Sequence, residues 1–234
     1  GVFTNEIDAS FLPAAIGNIG AAVIGPTVKG PVEVPTVVTS YAEFQERFGD
    51  TFKSGSNYYT YFTSVAAKNY LQHAGQLTVV RVAGSGYAPA SASVTSTAGT
   101  AFELYTLSDG ALLNNTASVG NANNLLSEGT KNNIRCEIST RNQNKGTFTL
   151  VIRRGDDNQK RKNPLETWKD LSLDPNSQNY IAKRIGDQYM SFKSDDGFYL
   201  QPTGDFPNKS KYVRVSTIDN TVDYLDENGN VRDA

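Results

Sequence analysis

Residues able to do chemistry are few in this chain. It has one histidine, His73, and one cysteine, Cys136. A nucleophile needs a base held beside it, and a zinc site draws on several His or Cys ligands. His73 falls near the end of a helix pattern, where a cation meets the helix dipole. Cys136, in "IRCEI", reads as a small buried apolar residue, and a lone cysteine makes no internal disulfide. Two carboxylate pairs stand out: Asp156 with Asp157 in "RRGDDNQ", and Asp195 with Asp196 in "SDDG". Neighbouring carboxylates on a strand face opposite ways, and Asp is a default turn residue, so both pairs are expected in solvated hairpin turns. The alternating oxygen ligands of a calcium loop are absent. Arg154-Gly155-Asp156 spells the cell-adhesion tripeptide, which three residues reach by chance; it reads as a Gly-Asp turn.

"GPTVKGP", Gly25 to Pro31, resembles a phosphate loop only at first sight. Such a loop needs Gly-Lys followed by Ser or Thr, whereas here Lys29 precedes Gly-Pro. Proline also removes backbone N–H donors that a phosphate cradle uses. The stretch is therefore read as a rigid bend between two strands, with Val28 and Lys29 expected at a subunit boundary. The basic residues Arg153, Arg154, Lys160, Arg161 and Lys162 surround the "GDD" turn. They are expected in a solvated loop or in one half of an intersubunit charge contact, facing the acidic tail "DNTVDYLDENGNVRD". No catalytic, cofactor-binding or metal-binding residue is singled out, and the chain is expected not to be an enzyme and to need no cofactor.

The elements that position these residues can be read in outline. The 234 residues suit one large domain or two small ones. A formal net charge of −2 gives no basic excess pointing to nucleic acid, and no apolar run reaches the roughly 20 residues of a membrane span. Residues 1–9 alternate loosely and look extended, without a hairpin partner of their own. "AAVIG", "VPTVVT" and "LTVVRV" read as strands. Ser40 with Glu43 forms a capping box for a short helix ending at Gly49. A longer helix is predicted from Asn57, with an aromatic stripe of Tyr58, Phe62, Ala66 and Tyr70 facing a core. Small polar residues after Val82 suggest a linker or loose edge strand. "FELYTL", "NIRCEI", "TFTLVIRR", "FYLQP" and "KYVRVS" follow as strands, and residues 108–131 as a long loop. Asp174 and Pro175 predict a helix start, with Ile181, Ile185 and Tyr189 in register on one face. The fold class is α/β (α+β): an extended N-terminal arm over 1–20, a small α/β sandwich-like domain over 21–83, a linker over 84–100, and a β-rich α+β domain over 101–234. The "NG" hairpin signal near the end suggests that the fold continues beyond Ala234.

In order and spacing, the first 83 residues resemble contractile tail sheath proteins of bacteriophages. The resemblance is carried by "GVFTNEIDAS", "AAVIGPTVKGP", "VPTVVTS", "YAEFQERFG" and the helix leading to "LTVVRV". A looser match runs from Thr147 to Ile185, through "TFTLVIRR" and "LSLDPNSQNY", and "FELYTLSDG" resembles the strand that opens the family's second domain. Larger family members run past this length, so the resemblance implies the N-terminal portion of a longer subunit, its outer domain incomplete here. It also implies a structural subunit of the virion, assembled in the host bacterial cytoplasm. Hexameric rings of such subunits stack around a tail tube and contract to drive it through the host envelope. The implied partners are further copies of the chain, the tail tube protein, and the baseplate and tail terminator proteins, with no direct nucleic acid and no membrane. Gly1 to Ala9 match an arm that adds a strand to a neighbour, which makes Val2, Phe3 and Ile7 docking side chains. Sheaths of type VI secretion systems and pyocin-like particles share this mechanical class. A carbohydrate-binding or adhesion module is the alternative of another class, and a hydrolase is the third reading.

Overall fold

The computed structural model describes residues 20–54, 56–96, 99–110, 131–194, 197 and 199–220. The protein is a mixed α+β fold rich in strand, with two separate hydrophobic cores. The arm residues Val2, Phe3 and Ile7, the pair Asp195 and Asp196, and nearly all of the acidic tail lie outside the described residues.

The first core is built on a three-stranded sheet. Strands β1 (Ala21–Gly25) and β2 (Thr36–Val38) flank β5 (Leu77–Arg81), which pairs parallel with β1 and antiparallel with β2. Alternation sends Leu77, Val79 and Val38 to one face. There they meet Phe44 and Phe48 of α1 (Tyr41–Phe48) and Ala67 of α2 (Phe62–Leu71). The capping expectation holds: the Ser40 hydroxyl accepts from the Glu43 amide at 3.2 Å, and the Glu43 carboxylate accepts from Thr39 N–H at 2.9 Å. Two glycines are needed where the "GPTVKGP" bend meets the end of α1. Gly30 has φ +113°, and an added Cβ would lie 2.5 Å from the Phe48 ring. Gly49 has φ +73°, and its Cβ would lie 2.8 Å from that of Val28.

The long helix predicted from Asn57 begins later. Asn57 to Thr60 form strand β4 (Asn57–Thr60), paired with β3 (Thr51–Ser54) in an isolated hairpin. Tyr59 and Phe52 stand opposite each other there, and Phe52 stacks on Tyr61 at 4.8 Å. Cross-strand aromatic pairing outcompetes helix propagation in this run. The aromatic stripe consequently divides: Tyr58 is 72% exposed and Phe62 92%, whereas Tyr70 packs against the first core as expected. Helix α2 buries its small face instead, Thr63, Ser64 and Ala67, because β1 approaches so closely that a Cβ on Gly25 would touch the Thr63 hydroxyl.

The second core lies between two further sheets. One has the order β10 (Pro164–Ser172), β9 (Thr147–Arg154), β8 (Ile134–Asn142); the other has β13 (Val213–Ser216), β7 (Gly99–Asp109), β6 (Pro89–Ser96). Leu104, Leu150, Ile152, Leu171, Val213 and Val215 are fully buried between them. The residues after Val82 thus supply β6, an edge strand. Cys136 packs against this core, and burial pushes its thiol up to about 12. The helix expected at Asp174 is short and late, α3 (Ile181–Ile185). Asp174 and Ser177 accept the amides of Asn176 and Asn179, so local side-chain turns take the donors a helix start would use. Ile181 and Ile185 are buried as expected, but Tyr189 opens β11 (Tyr189–Lys193), which pairs with β12 (Tyr199–Thr203).

The two aromatic populations can be separated by substitution. Phe44→Ala should lose about 3–5 kcal/mol of stability in equilibrium denaturation. Phe62→Ser should stay within about 0.5 kcal/mol of the parent. Equal losses would return Phe62 to the core.

Candidate functional site

The sequence-predicted positions divide between a seam that joins the two cores and a charged turn at the end of β9. The seam begins at Arg81, which shares the inward face of β5 with Leu77 and Val79 and is 4% exposed. Its guanidinium donates to the Gly30 carbonyl at 2.6 Å and to the Asp109 carbonyl at 2.7 Å. One side chain therefore holds the "GPTVKGP" bend and the end of β7 together. The backbone completes the joint. Gly30 N–H donates to the Ser108 hydroxyl, Val32 N–H to the Asp109 carboxylate at 2.8 Å, and Asp109 N–H to the Gly30 carbonyl. Burial lowers the pKa of Arg81, although Tyr87, whose ring centroid is 5.3 Å away, and Asp109 favour the charge.

Val28 and Lys29, expected at a subunit boundary, lie on this intramolecular seam. Val28 packs on Gly49. Lys29 lines a cavity of about 30 Å³ with Glu46, Thr106, Ser108 and Tyr212. Burial lowers its pKa, with Glu46 opposing the shift. Glu46 of α1 also reaches the second core: the Tyr212 hydroxyl donates to its carboxylate, and Lys211 stands 3.4 Å from it. That hydrogen bond, ahead of the neighbouring cations, holds Glu46 below the usual carboxylate range. Burial and the facing carboxylate push the Tyr212 phenol up.

The charged turn differs from its expectation at two residues. Arg153 is only 1% exposed and is not a surface contact. It donates to both carboxylate oxygens of Asp157, at 2.7 and 2.8 Å, and to Glu137. Burial works against the Arg153 charge, but these carboxylates win and raise its pKa. Asp157 is likewise buried, not solvated. It also accepts from Asn163 N–H and faces Arg135 at 3.4 Å. A buried carboxylate survives when several donors replace its water, which this turn provides. Arg154 pairs with Asp156 at 2.5 Å, so the charged ends of the Arg-Gly-Asp tripeptide engage each other. Lys160 and Arg161 are exposed, and Lys162 pairs with Glu137 at 2.5 Å.

Sequence reasoning missed Arg81, Glu46 and Tyr212. Only Arg81 left a signal, a charge at the inward position of an otherwise apolar alternation. Among the described residues no group of three or more His, Cys, Asp or Glu could hold a metal ion. No helix among them is long and apolar enough to cross a membrane. Compared with known proteins, the chain matches no family model and no curated relative. Polar contacts fix the two cores against each other.

Arg81→Met should cost about 2–3 kcal/mol, because the buried Gly30 carbonyl and the half-buried Asp109 carbonyl each lose a charge-assisted donor. Thermal denaturation checks this, and a variant as stable as the parent would show the clasp to be dispensable. The Glu46 contact should depend on pH. A carboxylate whose folded pKa is depressed stabilises fully above its unfolded value, near 4.5, and loses that contribution as pH falls through the folded value. The Tm advantage of the parent over Glu46→Gln should thus be largest near neutrality and shrink below about pH 4.5. A difference constant from pH 7 to pH 3 would refute it.

Proposed function

We propose that this chain is a structural subunit of a contractile phage tail sheath. In this reading, residues 1–20 form an arm that reaches a neighbouring subunit, 21–83 belong to the sheath core, and 101–234 form the outer domain of a longer subunit. Rings of subunits stack around the tail tube, and contraction releases energy held in subunit contacts, with no bond made or broken. The ordered motif resemblance over the first 83 residues supports it. The structural observation that carries it is exposed apolar surface on small elements. Ile24 is 69% exposed on the open face of the first sheet, where Val37 and Val82 are also exposed. Tyr58 and Phe62 project from the β3–β4 hairpin and the start of α2. Exposed patches of this kind mark surfaces that other chains cover. An isolated two-stranded hairpin is also marginal in water by itself.

Negative-stain microscopy tests the reading. The purified chain should assemble into helical tubes or sleeves, and deletion of Gly1 to Ala9 should leave a folded monomer that forms none. A parent chain that stays monomeric at high concentration, or tubes that persist after the deletion, would overturn it.

A further inference from the structure

A cleft of about 360 Å³ lies where the β3–β4 hairpin, the start of α2 and the first proline of the "GPTVKGP" bend come together. Four aromatic side chains line it, Phe52, Tyr59, Tyr61 and Phe62, with Pro26 beside them. The backbone dictates this grouping. Register sets Phe52 opposite Tyr59 across the hairpin, which brings their rings to 5.9 Å, and Phe52 stacks on Tyr61 at 4.8 Å. Alternation sends Tyr58 to the other side of the hairpin. Gly25, whose missing side chain lets β1 lie against Thr63, brings the following Pro26 to the start of α2. Pro26, Tyr59 and Phe62 are exposed. The rings hold one another in place, so the aromatic ridge stands formed before anything binds.

Among the described residues, the lining carries no charged side chain and no side-chain amide. Its polar side-chain groups are the hydroxyls of Tyr59, Thr60, Tyr61 and Thr63. Those of Tyr59, Thr60 and Tyr61 make no hydrogen bond among the described residues. A ligand that suits this lining brings stiff apolar rings for the aromatic faces, acceptors for the hydroxyls, and no charge. Proline-rich chains bring all three. Each proline offers a ring and a carbonyl without an N–H of its own. The polyproline II helix makes no internal hydrogen bonds and is already ordered, so it loses little entropy on docking against aromatic side chains. A sugar, dense in hydroxyl donors, meets neither carboxylate nor amide here. A membrane surface calls for Lys or Arg beside the rings, and no described residue of the lining is either.

We propose that this cleft binds a proline-rich segment of another protein in the polyproline II conformation. The segment comes from a different protein because this chain has none to offer. Its prolines include no adjacent pair and no pair three residues apart, and Pro13 is the one proline outside the described residues. Every lining residue belongs to one copy of the chain, so the cleft needs no assembly to form and stands apart from the sheath reading. The Tyr59 and Tyr61 hydroxyls donate to carbonyls of the docked segment, and its proline rings lie against Phe52, Tyr59 and Phe62.

Fluorescence anisotropy of labelled decaproline, titrated with the full chain at concentrations below assembly, tests the recognition. Saturable binding is expected, about tenfold or more tighter than that of a Gly-Ser peptide of equal length. Added salt should change it by less than about twofold, because no ion pair takes part. Tyr59→Ala and Phe62→Ser should each weaken it about tenfold. Phe62→Ser changes an exposed side chain, so it keeps the test valid if Tyr59→Ala disturbs the hairpin. Tyr58→Ala, on the other side of the hairpin, should leave binding unchanged. Absence of saturable binding, equal binding of the two peptides, or binding that survives Phe62→Ser overturns the proposal. Saturation by cellohexaose or chitohexaose in place of decaproline would give the rings to sugars and overturn it too. So would self-association that is lost in Phe62→Ser while decaproline fails to bind, which would give them to a second copy. Decaproline binding without tubes would remove the sheath reading and leave the cleft. Tubes without decaproline binding would do the reverse.

Discussion

Two short hydrogen bonds from Arg81 set the relation between the two cores. The central strand of the first sheet ends in this guanidinium, and the longest strand of the second core ends at Asp109. Between them lies the carbonyl of Gly30, which accepts from Arg81 at 2.6 Å and from the Asp109 backbone. A bend stiffened by Pro26 and Pro31 is what delivers that carbonyl. Gly30 can occupy the position because its positive φ and missing side chain let the bend lie against Phe48. Remove the charge, and the buried Gly30 carbonyl loses one of its two donors and the half-buried Asp109 carbonyl loses the guanidinium, so a rigid loop loses its anchor.

The joint is polar where each core is apolar, and this difference has a physical consequence. Apolar burial is non-directional and tolerates sliding, whereas hydrogen bonds to fixed carbonyls specify one geometry. The fold therefore obtains cohesion from Phe44, Leu77, Leu150 and Ile152 and orientation from Arg81, Asp109, Glu46 and Tyr212. The charged turn follows the same logic inside the second core. Arg153 and Asp157 bury a charge pair at the end of β9, where an apolar pair of equal volume could be as stable. What the ion pair adds is direction. It ties the turn to β8 through Glu137 and to the following loop through Asn163.

The sequence exposed the elements of the fold more fully than their joints. Alternation and β-branching located β1, β2, β5, β7, β9 and β13, and a cap located α1, because these signals are local. Strand β4 reads as the start of a helix because Tyr58, Phe62, Ala66 and Tyr70 have helical spacing. Spacing cannot reveal that Phe52, several residues earlier, supplies a cross-strand partner. Asp174 announced a helix, but its carboxylate closes a local turn instead. The candidate site was less legible for the same reason. Lys29 drew attention by its place in "GPTVKGP", yet its surroundings come from α1, β7 and the lead into β13, far apart in sequence. Arg153 and Asp157 looked like surface charges because composition around a turn does not show which charges face inward.

The placement of charge also bears on how such a chain could take part in assembly. Its ion pairs are largely internal: Arg153 with Asp157, Arg154 with Asp156, Lys162 with Glu137, Lys211 with Glu46. Satisfied charges of this kind contribute little attraction toward another molecule, since any new partner must first displace the old one. What remains available among the described residues is apolar surface at Ile24, Tyr58 and Phe62, together with exposed cations such as Lys160 and Arg161. Apolar patches supply affinity with little selectivity, so the choice of partner has to come from the charges and hydrogen-bonding edges around them.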